Sequence, residues 1–415
     1  MRRVFYGWKI VGAGASLQLL QAALMGHAFG AYVAVLAADM GWSKTSLSGA
    51  AALQQMEAAL LGPVLGWLLD RFGPRRFIRA GILLFGLGLI AMSQASSLAG
   101  FYGAFVVIAL GTSLAGFFPL NVAIIHWFEK KRARAISALS FGLAVGGMLV
   151  PIVAAALETL GWRLTALASG AIAIAIGYPL ARVFRDRPAE VGEVMDGERA
   201  APAAAPSPAR ASAGEATRDF TWREALATRA FWLLSFGHAF ALFAVHAVLV
   251  HAITHLRDSL GYALAAAALV ITLVTVAQLG GIALGWLIGD RFDKRLLCAA
   301  CMLAHATGLL LLAFAQNAAM VAAFAVLHGV AWGLRGPFMQ AIRADYFGAS
   351  SIGMILGLSF LVILIGQLGG PMIPGLLADV TGDYRAGFTA LGALAALGSV
   401  FFLLAKKPAR PRREA

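Results

Sequence analysis

A few side chains in this 415-residue sequence sit where their neighbours make polar chemistry costly. Arg335 lies among apolar residues, flanked by Gly333, Gly336 and Pro337, eight positions before Arg343. At a rise of 1.5 Å per residue, its guanidinium lies about 12 Å inside the segment end that Arg343 marks. A cation at such depth costs roughly 2.5 to 3.5 kcal/mol and usually faces a cavity or a partner. The glycines and proline predict a locally irregular helix, and a planar fork of donors suits a carboxylate held bidentately. Arg335 is therefore the leading ligand-binding candidate, the alternative being a structural pair with Glu57. Of the 20 Asp and Glu residues, Glu57 alone falls well inside an apolar segment. A carboxyl kept from water can exchange a proton usefully, so Glu57 is the candidate for proton coupling, against a hydrogen-bonded role near Gln54 and Gln55.

Asp70 and Arg71 stand together at a segment end, where a partly desolvated pair can be tipped by a small conformational shift. With Arg75 they form one candidate gate, and Asp290 with Arg291 repeats it later in the chain. His27, His246, Asn121 and Gln278 are polar groups inside apolar segments and further candidates for ligand contact; the alternative is bonding between helices. His251 and His255 have the i, i+4 spacing of a metal pair but no Cys, Asp or Glu nearby, and Cys298 with Cys301 is a single C-x-x-C that suits two small core residues. No metal or cofactor is expected. There is no phosphate-binding loop, H-E-x-x-H or G-x-S-x-G, so neither nucleotide hydrolysis nor an enzyme activity is expected.

The elements that position these residues follow from composition. With 60% hydrophobic and only 13% charged residues, the chain holds more apolar side chains than a soluble domain could bury. Apolar windows fall at 8–36, 47–69, 77–94, 101–127, 135–157 and 161–184. Six more follow at 230–255, 263–288, 296–315, 318–342, 351–377 and 386–405. Each is long enough to cross a bilayer. The expected organisation is an all-α membrane protein of 12 transmembrane helices in two six-helix bundles, 1–184 and 224–405. Between them lies a flexible linker, 185–223, and a basic tail follows at 406–415. The net charge of +13 needs no nucleic acid, because the 33 Lys and Arg residues are distributed by side. If both termini are cytoplasmic, only Lys44, Arg163, Arg257 and Arg385 face outward and only Arg335 lies within a span. The halves also repeat each other. Gly66, Trp67, Leu68, Asp70, Arg71 and Phe72 return as Gly285, Trp286, Leu287, Asp290, Arg291 and Phe292; Pro119 returns as Pro337, Phe128 as Phe347 and Arg163 as Arg385.

Gly66, Asp70, Arg71, Gly73 and Arg75 resemble the G-x-x-x-D-R-x-G-x-[RK] signature of the major facilitator superfamily of secondary transporters. In the second copy Asp293 replaces the glycine. Finer marks resemble its monocarboxylate and oxalate/formate porter branch: Tyr6, Gly7 and Trp8; Gly41, Trp42 and Ser43; Trp127 and Phe128; Arg187 through Gly192; Asp345 through Gly348; and Asp379 through Tyr384. The resemblance implies the major facilitator fold in two pseudo-symmetric bundles and alternating-access transport of a small organic anion, a monocarboxylate or short dicarboxylate, by proton symport or anion exchange. It also implies a monomer in the inner membrane. Two cations often seen in that branch are missing: Gly281 stands where span eight would carry arginine, and no lysine stands near Ala31. A drug or metabolite exporter of the same fold stays open, with a non-transporting membrane sensor as the rival of another class.

Overall fold

The computed structural model describes residues 4–197 and 218–412. In chain order the helices are α1 (Tyr6–Gln21), α2 (Phe29–Met40), α3 (Lys44–Phe72), α4 (Pro74–Ser93), α5 (Leu98–Ala115), α6 (Phe117–Ile125), α7 (Arg132–Met148) and α8 (Val150–Val183). They continue as α9 (Trp222–Ala227), α10 (Arg229–Asp258), α11 (Leu264–Ile288), α12 (Lys294–Ala313), α13 (Ala318–Phe347), α14 (Ile352–Thr381) and α15 (Arg385–Leu404). Among the described residues, 10 helical runs are long and apolar enough to span a membrane. One of them, Arg132–Val183, holds two crossings, because Gly161 at φ 76°, ψ 161° interrupts the helix. The remaining crossing is α3, whose 29 residues reach about 44 Å and whose polar residues lower its hydropathy. The protein thus has the expected twelve-helix membrane architecture.

The chain divides into two compact units. The described residues of unit 1 are 4–130 and 138–197, and those of unit 2 are 131–137 and 218–412. In lipid every backbone polar group must find a partner within the chain, and the helix starts show how this is done. Ser43, Ser97 and Thr228 accept hydrogen bonds from the amides of Ser46, Gly100 and Phe231 at 3.0, 3.1 and 3.2 Å. Asn317, at the position that repeats Ser97, accepts from Met320 N at 3.0 Å.

Close packing within unit 2 depends on glycines. On α11 and α13, a Cβ added at Gly281, Gly329 or Gly333 would collide with the carbonyl oxygen of Val330, Val274 or Gln278. With no hydrophobic drive between helices in lipid, such small-residue contact is a main source of association. It also fixes the height of Arg335, two residues beyond Gly333.

Two expectations change. The helix around Arg335 is continuous, since α13 runs unbroken through Gly333, Gly336 and Pro337. The irregular backbone lies in span one instead, where Ala22–Gly26 form a π-turn and His27 N bonds Ala22 O at 2.8 Å. The ends of the linker also have defined structure. Residues 185–197 carry two short 3₁₀ turns, and Phe220 N bonds Phe347 O at 3.0 Å. Its middle, with Pro202, Pro206 and Pro208, lies outside the described residues.

Gly333→Val should lower the apparent melting temperature and the yield of monodisperse protein, since overpacking a tight contact costs about 1 to 3 kcal/mol. Gly336→Ala, where nothing lies within 4 Å of an added Cβ, should change neither. Equal behaviour of the two variants in fluorescence-detected size exclusion would remove the packing argument.

Candidate functional site

Unit 1 gathers its polar side chains around the broken helices. Gln18 and Gln21 on α1 are 3% and 5% exposed, and the Nε2 of each has no partner among the described residues. The π-turn follows at once and leaves His27 exposed, beside Gly147 of α7. Such π-bulges are frequent at functional sites because they widen a helix and free backbone groups. Asn121 on α6 is buried; its Nδ2 donates to Phe117 O at 2.6 Å and its Oδ1 has no partner. Glu57 on α3 is half-buried, with one carboxyl oxygen accepting the Ser113 hydroxyl of α5 at 2.8 Å and the other unpartnered. α1 packs against α6, and α3 against α5. The expected residues His27, Asn121 and Glu57 thus sit on elements packed together in one unit. Gln18 and Gln21 were missed, because glutamine in an apolar run carries no pattern of its own.

In unit 2, Gln278 on α11 is half-buried and its backbone lies against Gly329 and Gly333. His246 on α10, also half-buried, holds Leu242 O through Nδ1 at 3.1 Å. Arg335 departs from the expected placement. It is 1% exposed, enclosed within unit 2, and its charged and thiol neighbours include Cys298 and Cys301 on α12. The guanidinium is thus shut off from bulk solvent in this conformation, and Ser113, not Arg335, is the hydrogen-bonding partner of Glu57. Arg343, placed at a span end by the sequence, is 1% exposed as well. His251 and His255 are engaged by the carbonyls of Pro371 at 2.8 Å and Leu312 at 3.1 Å.

The charged ends of the spans carry the gate candidates. Asp290 does not pair with Arg291. It accepts from Lys294 Nζ at 2.8 Å and from the amides of Ala133 and Arg134 at 3.1 and 3.4 Å, so it caps the first turn of α7. Gly289, at φ 53°, supplies the turn that aims it there. Lys294 also reaches Asp345 at 2.8 Å, and Asp345 bonds the nearly buried Arg132. Arg134 lies over the Trp286 ring at 4.5 Å. In unit 1, the Arg71 guanidinium sits 5.3 Å from the Trp67 ring and 5.4 Å from Phe72. Arg75 donates its amide to Asp186 at 2.9 Å and pairs with Glu190 at 3.5 Å. Burial pushes the Asp186 carboxyl up from the usual carboxylate range, against the pull of that amide bond.

Within each unit the short motifs of the chain pack at a span end. Tyr6 stacks on Trp127 at 5.5 Å and its hydroxyl donates to Val183 O at 2.7 Å, while Trp8 meets Phe128 at 5.0 Å. Asp196 accepts from the amides of Glu129 and Lys130 at 3.1 and 2.8 Å. In unit 2, Asp219 does the same for Ala349 and Ser350 at 2.9 and 3.2 Å. The two ends of one linker therefore cap the two copies of one turn.

The chain belongs to the Major Facilitator Superfamily, whose family profile matches residues 15–295 and 234–415. It is a multi-pass membrane transporter and not an enzyme. Among its relatives is human monocarboxylate transporter 11, 27% identical over 96% of this chain and 82% of that protein. A probable sulfoacetate transporter of Cupriavidus necator is 25% identical over 81% of this chain and 79% of its own length. A solved proton:xylose symporter shares the fold with a TM-score of 0.71 at 16% identity, covering 96% of this chain and 95% of its own.

Asp345→Asn removes the acceptor shared by Arg132 and Lys294, so each little-exposed cation loses one ion pair while Lys294 keeps Asp290. The apparent melting temperature of purified protein should fall several-fold further than for Arg295→Gln, whose 3.6 Å pair with half-exposed Asp293 is worth under about 1 kcal/mol. Equal shifts would show that the network adds nothing.

Proposed function

We propose that this transporter moves a small organic anion, a monocarboxylate, short dicarboxylate or sulfonate, across the inner membrane by alternating access, with both termini cytoplasmic. The observation that carries the reading is the sign of the charge held inside the spans: Arg335 and Arg343 are 1% exposed, while Glu57 is the carboxylate at depth and is only half-buried. A positive interior favours negative cargo. The printed names of relatives, a monocarboxylate transporter and a probable sulfoacetate transporter, support the same class.

In this reading the candidates for cargo contact are His27, Asn121, Gln18 and Gln21 within unit 1, and Gln278 and His246 within unit 2. Arg335, enclosed in this conformation, contributes its field. Glu57, with one oxygen held by Ser113 and the other free to take a proton, couples transport to a proton gradient. Asp70, Arg71, Arg75, Asp290 and Arg291 belong to the machinery that opens and closes the basic side. The rival reading, an exporter of apolar or cationic molecules, draws on the enclosure of Arg335, and one assay separates the two.

Purified protein in liposomes should show saturable uptake of labelled short carboxylates or sulfonates, accelerated by an inward proton gradient. Glu57→Gln should keep exchange of internal for external substrate and lose that acceleration. Transport of a lipophilic cation with no anion uptake would overturn the assignment, and a Glu57→Gln protein still driven by the gradient would overturn the coupling role.

A further inference from the structure

Buried polar atoms without partners gather in one part of unit 2. The Nε and Nη1 of Arg335 donate to nothing among the described residues. Arg343, two helical turns along α13, donates Nη1 to Met339 O at 2.9 Å and directs Nη2 to Leu234 O and His238 Nδ1 at 3.4 Å, which leaves its Nε unpartnered. His305 and His328 face each other through their Nδ1 atoms at 3.1 Å, and the Nε2 of each is orphaned. The two guanidiniums lie within electrostatic reach of each other and of Cys298, and both reach His238. Neither takes part in an ion pair with an Asp or Glu among the described residues. Asp293, at the start of α12, reaches Cys298 but pairs with Arg295.

Such an arrangement is incomplete as it stands. A buried charge persists when it is paired, and arginine does not escape by losing its proton. Neutral thiols are weak acceptors and imidazoles bring no negative charge. What the cluster has in excess is N–H donors and positive charge, and what would satisfy both is one compact anion.

We propose that Arg335, with Arg343 adding its charge, forms an anion site inside unit 2, taking a halide or a carboxylate-sized oxyanion on the unpartnered Nε and Nη1 of Arg335. The site requires only the chemistry of a small monovalent anion, so it goes beyond the transport reading and holds whether or not the cargo itself is negative. An inorganic source makes it a resident ion that stabilises the bundle. A carboxylate source makes it a stopping place for cargo.

The test is the apparent melting temperature of the purified full-length protein, titrated at constant ionic strength with sodium bromide and separately with sodium acetate, against sodium sulfate as the bulky divalent background. A ligand that binds only the folded state raises this temperature saturably. Bromide alone acting points to the inorganic source, acetate alone to the carboxylate, and both to a site that takes either. Arg335→Gln should abolish the effect, and Arg343→Gln should weaken half-saturation by about tenfold or more. Should either variant fold poorly, a bromide anomalous peak within hydrogen-bond distance of Arg335 in wild-type crystals decides the matter. No saturable effect of either anion in the wild type overturns the proposal, as does an effect that persists in both variants. An effect that arises only in the Cys298→Ala, Cys301→Ala double variant also overturns it, because a thiolate would then be the counter-charge.

Discussion

Hydrocarbon solvates no polar group, and nearly every feature of this chain follows from that restriction. Backbone amides and carbonyls are consumed within helices, exposed helix starts are closed by Ser, Thr and Asn side chains, and side-chain charge is pushed to the ends of the spans. Glycines take over where hydrophobic drive is absent, letting α11 and α13 approach until one backbone rests on the other. Against this background the few polar groups left at depth are informative. Each is costly, so each needs a partner in the protein or a solute that supplies one.

The ends of the spans are not loose loops. Phe5, Tyr6, Trp127 and Phe128 pack into one aromatic knot, and Asp196 ties the chain after α8 to the turn before α7. Asp219 and Phe220 tie the chain before α9 to the repeated turn at Phe347. The short motifs that mark the family branch are therefore largely parts of this construction, which explains why they are recognisable without naming a cargo. In unit 2, Asp290 and Asp345 add charge at the span ends. The first closes a helix start and the second joins two cations, so both are bonds that a small displacement can exchange for water.

Much of this was legible in the sequence. The apolar windows match the helices to within a few residues, because a span is announced by uninterrupted hydrophobicity. The helices run longer where polar residues extend them, as at Lys44 and at Asp70 and Arg71 of α3. The repeat of Asp70 at Asp290 suggested a gating pair with Arg291, whereas Asp290 bonds Lys294 and an amide pair from distant sequence. The π-turn after Gln21 left no trace in residue type, and glycine and proline drew attention to α13, which proved continuous. Arg335 was singled out for its place in an apolar run, and it is buried. Its direction depends on which face of α13 meets α12, and period-counting in an apolar helix does not reveal that. Arg343 lies one turn before the end of α13, where the sequence put it, and its burial comes from neighbouring helices that the sequence does not reveal.

The central claim is that the cargo is negative because the span interior is positive. The most direct measurement uses two nearly isosteric solutes, a short carboxylate and its primary amide, applied to protein in a membrane while substrate flux is recorded. The carboxylate should be carried saturably and the amide neither carried nor inhibitory. Equal transport of the neutral amide would contradict the account.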